Sequence, residues 1–267
     1  MKKLLGIILV MSLLVLAGCS ESKDPSKEKP KEPSEPTSFS DEMKIPYTCD
    51  LSPEDGADSA ERQGDHPDSP YFKAPDFYEM KSNDSLTILT HFKTQQQTSE
   101  WSCGVSSALM ILEWFDARGD YNEETLAQYR SNGLNPEATS ISQMVEIFEG
   151  VGGFDVYSVL DCKENVQEVF TPEFIQKTLK DGKPIAIGWN DWGGHWQVII
   201  GYDTMGTETL QDDVIIVADS YDSTDHNQDG YGIYGAERFL SNFTFFDFFS
   251  EESGEPNDMC FLVATPQ

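Results

Sequence analysis

Cys103 is followed by Gly104 and then by Val105, Ala108, Leu109, Leu112 and Phe115, apolar residues spaced as on one face of a helix. A thiol at the start of that helix sits in partial positive charge and beside free backbone N–H groups. Both favour the thiolate, and the N–H groups suit the oxyanion of a tetrahedral intermediate. Six residues earlier Gln97 closes the run Gln95-Gln96-Gln97 and offers a side-chain amide as a second oxyanion donor. Gly104 removes a side chain that would crowd an approaching substrate. A base for the thiol stands in Trp192-Gly193-Gly194-His195-Trp196-Gln197-Val198-Ile199-Ile200-Gly201-Tyr202, where the histidine opens an apolar strand. A turn near Thr207 and a return through residues 214–219 set His195 opposite Asp219. Asp219 would then orient the imidazole, with Asp222 as the reserve carboxylate. Trp192 and Trp196 either cover the His–Asp bond or pack in the core, and Gly193 and Gly194 let a substrate backbone lie close. A thiol, an imidazole, a carboxylate and an amide in this order point to covalent acyl transfer.

A second constellation is Asp225-His226-Asn227-Gln228-Asp229-Gly230. Asp225, Asn227 and Asp229 supply oxygens at positions one, three and five of a calcium loop, with glycine at six. Position twelve is Ala236 and Glu237 comes one residue late, so this is no EF-hand. An acidic turn is the favoured reading over a structural calcium ion, and the acyl-transfer chemistry requires no cofactor.

These residues need elements to hold them. Helices are expected at 123–130, capped by Asn122, at 141–149, with a Ser140/Gln143 capping box and Gly150 as stop, and at 172–180, with Thr171 as cap and Gly182 as stop. Strands are expected at 184–189, 195–202, 214–219, 231–234 and 260–264. Helices come first and strands later, which predicts an α+β fold with a helical part packed on a twisted antiparallel β-sheet. The aromatic stretch 237–249 reads as a helix or turn packed on that sheet. Residues 51–85 read as a wrapping extended segment with Tyr71, Phe72, Phe77 and Tyr78 as its anchors.

The beginning of the chain is of a different kind. Met1-Lys2-Lys3 precedes an apolar run from Leu4 to Leu16, too short for a membrane span but fit for a signal peptide core. Leu16-Ala17-Gly18-Cys19 resembles the lipobox of bacterial lipoproteins, which makes residues 1–18 the signal and Cys19 the lipidated N-terminus. Residues 19–40 carry that cysteine and a Ser, Pro, Lys and Glu tether too polar to fold. The expected organisation is completed by an N-terminal segment at 41–85 and a catalytic domain at 86–267. The protein is thus expected to be exported and anchored by lipid on the outer face of the cell membrane. A net charge of −29 disfavours nucleic acid as a partner. Five cysteines in an oxidising compartment leave Cys49, Cys162 and Cys260 once Cys19 and Cys103 are assigned, with Cys49 to Cys260 as a candidate disulfide.

From about Leu86 to Ala264 these motifs resemble the papain-like peptidases related to the bacteriocin-leader-processing enzymes, family thirty-nine of the cysteine peptidases. The resemblance falls on Gln97, Cys103, Gly104, His195, Gly201, Tyr202 and Asp219. It implies a papain-like fold and a peptide or protein substrate. Asp219 is followed by Ser220 rather than the family's proline, and no transporter region is present, so cleavage after a double glycine is not implied. The competing readings are a cell-wall peptide amidase or transpeptidase using the same residues, and a non-catalytic surface binding lipoprotein. The presence of all four groups speaks for catalysis. Oligomeric state and cleavage preference leave no signal.

Overall fold

The computed structural model describes residues 41–59, 70–71, 75–163, 165–222 and 228–267. Helix α1 (Cys103–Trp114) is buried at every position from Cys103 to Leu112. It is therefore a central helix rather than one with a single apolar stripe, and its Ser106 and Ser107 are enclosed along with its leucines. Helix α2 (Glu123–Ala127) starts at the expected Asn122 cap, whose Oδ1 accepts from Thr125 N at 2.9 Å, but it ends before Arg130. Helix α3 (Ile141–Val151) carries the expected box, with Ser140 N donating to Gln143 Oε1 at 2.9 Å. It runs past Gly150 and stops at Gly152, where φ is 76°. Inside the helix Gly150 leaves room for Tyr129, which packs where a side chain would be. A short α4 (Val166–Val169), not anticipated, precedes α5 (Pro172–Lys180), which Thr171 caps as expected.

The strands are β1 (Leu86–Ile88), β2 (Phe154–Ser158), β3 (Ile185–Trp189), β4 (His195–Asp203), β5 (Val214–Asp219), β6 (Tyr231–Gly235) and β7 (Cys260–Pro266). They form one seven-stranded antiparallel sheet in the order β2-β7-β3-β4-β5-β6, with β1 paired to the distal half of β4. β1 and β2 join the five strands expected. The α+β class is as anticipated, with α1 packed on β4 and β3 and α3 on β2 and β7. β4 is buried at every position but its last, flanked by β3, β5 and β1 and contacted by α1 and α5.

The register of β4 on β5 corrects the expected one. Gln197, not His195, lies opposite Asp219, because the turn is centred between residues 208 and 209 rather than on 207, and the bulge between Ile199 and Gly201 recovers only one residue of the offset.

The N-terminal segment wraps as expected, with Phe77 and Tyr78 of the expected anchors packed on the core and others added. Met43 and Ile45 are buried, and Ile45 N donates to Thr94 O at 2.7 Å. Phe77 is buried too, whereas Tyr71 is 82% exposed and Phe72 lies outside the described residues. In the aromatic stretch, α6 (Ala236–Ser241) leads into Phe243 and Phe245, which are buried against Phe170 and Trp196. Cys49, Cys103, Cys162 and Cys260 are all free thiols, so the Cys49–Cys260 disulfide is not formed. Cys260 is instead enclosed in β7, its Sγ 3.1 Å from Pro256 O. No helix among the described residues is long and apolar enough to cross a membrane. The signal, Cys19 and the tether lie outside the described residues.

Candidate active site

Cys103 opens α1 and lies at the bottom of a cleft of about 870 Å³. Ser102 makes no side-chain cap, so the first-turn N–H groups keep donor capacity. The loop leading to Cys103 is pinned from two sides. Gln97 N donates to Ser220 O at 2.9 Å, and its Oε1 accepts from Ser220 Oγ at 2.8 Å. Gln97 Nε2 donates to Ser99 O at 2.8 Å. Below the loop the buried Glu123 carboxylate accepts from Thr98 Oγ1 at 2.6 Å and from Ser106 Oγ at 2.8 Å. Burial pushes the Glu123 pKa above its ordinary value, against the pull of hydrogen bonds from Thr98, Ser102 and Ser106. In the sequence Glu123 reads only as the first residue of a helix, and its place under the cysteine loop comes from tertiary packing.

His195 opens β4 and is 3% exposed, with Nε2 2.6 Å from Asp219 Oδ1. The two meet although they are not opposite each other. His195 and Gln197 point to the same face, and Asp219 sits across from Gln197, within diagonal reach of the imidazole. Asp219 Oδ1 also accepts from Tyr221 N at 2.7 Å, and its Oδ2 accepts from Gln197 Nε2 at 2.7 Å. Gln197 is itself fixed by Trp189 Nε1, which donates to its Oε1 at 2.9 Å. Asp222, the reserve candidate, accepts from Gly230 N at 2.9 Å. Burial pulls the His195 pKa down, but the charge and hydrogen bond of Asp219 and the neighbouring Cys103 lift it well above 6.5. Burial raises Asp219 in turn, and His195, Tyr221 N and Gln197 overcome this and hold it below 3.8.

Of the two readings for Trp196 the structure takes core packing, its Nε1 donating to Thr139 O at 2.7 Å. The ring beside His195 is that of Tyr221, perpendicular at 6.4 Å, with Trp192 against its other side at 5.9 Å. Gly104 is required by packing and not by substrate, since a Cβ there would stand 2.7 Å from Thr139 Cβ.

The cleft walls come from several segments. Asp50 and Asp55 belong to a strap that is tied to the cysteine loop, with Ser52 N donating to Thr98 O at 3.1 Å and Ala57 N to Gln97 O at 3.0 Å. Glu100 and Glu124 complete a set of four carboxylates on the lining, which among the described residues includes no Lys, Arg or His. Trp192, Gly193 and Gly194 form the facing wall. Gln97, His195 and Asp219 are buried and do not line the cleft.

Of the calcium residues, Asp225 and Asn227 lie outside the described residues. Asp229 is buried, with Oδ1 accepting from Tyr231 N at 3.0 Å and its carbonyl accepting from Thr94 Oγ1 at 2.7 Å. Among the described residues no three His, Cys, Asp or Glu side chains converge as a metal site.

A thiol at a helix start, within interaction range of an imidazole that a buried carboxylate holds, is the equipment of a cysteine peptidase. Residues 83–228, more than half of the chain, match the family model described as papain-like cysteine protease AvrRpt2, and the chain belongs to this family. A crystal structure described as a C39-like peptidase from Bacillus anthracis aligns over 69% of this chain and 99% of its own, with 13% identity and a TM-score of 0.45. A search of curated proteins found no match. The kinship expected with the bacteriocin-leader-processing enzymes thereby resolves to the papain-like class as a whole.

Proposed function

We propose that this cysteine peptidase hydrolyses peptide bonds with Cys103 as nucleophile, His195 as base and acid, and Asp219 as the group that orients the imidazole. The observation that carries the reading is the buried His195, its Nε2 2.6 Å from Asp219 Oδ1, with that carboxylate and Cys103 together raising its pKa. The proton that charges His195 comes from the Cys103 thiol, and the thiolate so formed attacks the substrate carbonyl. The Cys103 backbone N–H holds the oxyanion, and the second N–H of Gln97 Nε2, whose first goes to Ser99 O, joins it from behind the cleft lining. His195 then gives its proton to the leaving amine. Water, deprotonated by the same imidazole, cleaves the thioester and restores the thiol. Wall-peptide amide hydrolysis uses the same groups and the same steps, so the reaction stands whichever peptide is presented. The four carboxylates of the cleft favour substrates with Lys or Arg near the scissile bond.

The enzyme works, on this reading, at the outer face of the membrane, tethered through lipidated Cys19. A structural calcium at Asp225, Asn227 and Asp229 has no part in the steps above. Metabolic labelling with a fatty-acid analogue, lost in Cys19→Ala, checks the anchor.

The chemistry is tested by labelling the full chain with a thiol-directed active-site probe from about pH 4 to about pH 9. Labelling confined to Cys103, strong in the acid half of that range and reduced roughly tenfold or more by His195→Ala, is the expected result. Labelling that rises only near an ordinary thiol pKa of about 8.5 and ignores His195 sinks the triad.

A further inference from the structure

Arg130 is 2% exposed in a chain of net charge −29, yet no ion pair among the described residues includes it. Its guanidinium is spent on neutral acceptors. Nε and Nη2 donate to Gly133 O at 3.1 and 2.6 Å, Nη2 to Asn135 O at 3.0 Å, and Nη1 to Glu137 O and Thr139 Oγ1, both at 3.0 Å. The guanidinium carbon lies 4.4 Å from the centroid of the Trp101 ring, two residues before the nucleophile. Thr139, which it also holds, is the residue against which Gly104 packs. Arg130 thus clamps together the two segments that bracket the first turn of α1.

A buried cation without a counterion is costly, and a neutral side chain could tie a loop for less. Besides Glu137, the negative charge that bears on it is that of the Cys103 thiolate. A counterweight is needed there, because Asp50, Asp55, Glu100 and Glu124 line the cleft and oppose a thiolate. We infer that Arg130 is a positioning residue whose fixed charge offsets the acidic cleft and holds Cys103 as thiolate, while its hydrogen bonds hold residues 133–139 against the start of α1. This rests on Cys103 being the nucleophile. Burial draws the Arg130 pKa down to about 10, against the pull of Cys103 and Glu137, so it stays charged at neutral pH. The other charged groups around the thiol are His195 with Asp219 behind it, and Glu123 below the cysteine loop.

The test is the rate of Cys103 alkylation by iodoacetamide across pH in the full chain, in Arg130→Met and in Arg130→Lys, with circular dichroism and melting followed in parallel. Arg130→Met should lose roughly tenfold or more of the labelling rate below about pH 6 and little at about pH 8.5, and Arg130→Lys should recover most of it. A folded Arg130→Met with the parent's pH profile overturns the inference and leaves the triad standing. A parent that shows no His195-dependent labelling sinks both. Should Arg130→Met fail to fold, Glu100→Gln decides. Removal of this exposed carboxylate should raise labelling below about pH 6 severalfold, and an unchanged rate there refutes the electrostatic balance.

Discussion

The imidazole of His195 is buried, which on its own would leave it neutral, and its charge depends on what Asp219 and Cys103 supply. That dependence gives stability a direction with pH. With the folded His195 pKa raised, its contribution is complete below the ordinary 6.5 and is lost as pH climbs through the raised value. Asp219 is held low, so its contribution is complete above 3.8 and is lost as pH falls through the lowered value. Asp219→Asn should therefore lower the urea midpoint most between pH 3.8 and 6.5 and progressively less toward alkaline pH. A deficit that does not vary with pH contradicts this account. Gln197 is the residue through which the carboxylate is aimed. Gln197→Leu removes the 2.7 Å donor from Asp219 Oδ2 and the acceptor of Trp189. A hydrogen bond to a buried charge is worth about 1.5–3 kcal/mol. A loss of roughly tenfold or more in kcat, with KM little changed, is expected from steady-state kinetics.

At the scale of elements, the strap over residues 50–58 lies outside the matched family region, which begins at 83, yet it builds one wall of the cleft. Gly56 is its tightest point. Its φ is +92°, and a Cβ there would stand 2.6 Å from Thr98 C and 2.7 Å from Ser99 N. These are backbone atoms of the cysteine loop and cannot yield as a side chain would. Gly56→Ala should cost about 1–3 kcal/mol in strain, read as a lower melting temperature, and should slow peptide cleavage through the loop that carries Gln97. The caps at Asn122, Ser140 and Thr171 were legible in the sequence because capping is decided within four residues. β1, β2 and α4 were not, since each is short and forms only by pairing or packing with distant chain. The same division runs through the site. Cys103, His195 and Asp219 stood out by type and spacing, although the expected register was wrong and the contact is diagonal. Glu123, Arg130 and Tyr221 gave no such signal, because an acid, a base and a phenol on a helix or loop look like surface until the fold encloses them.

For the molecule as a whole, a charge of −29 and an acidic cleft act in the same sense on anything that approaches. Peptides differing only in Lys or Glu beside the scissile bond should differ roughly tenfold or more in kcat/KM at low salt, with the ratio shrinking toward about 0.5 M salt. Equal rates for the two peptides, or a ratio indifferent to salt, would remove charge as a selector. The sheet order has a consequence of another sort. β7 follows every other element in the chain, yet it lies between β2 and β3. While a growing chain still lacks these residues, β2 is separated from β3 and part of the floor under α3 is missing. The last strand made is thus the one that joins β2 to the rest of the sheet, and the complete sheet waits on the end of the chain.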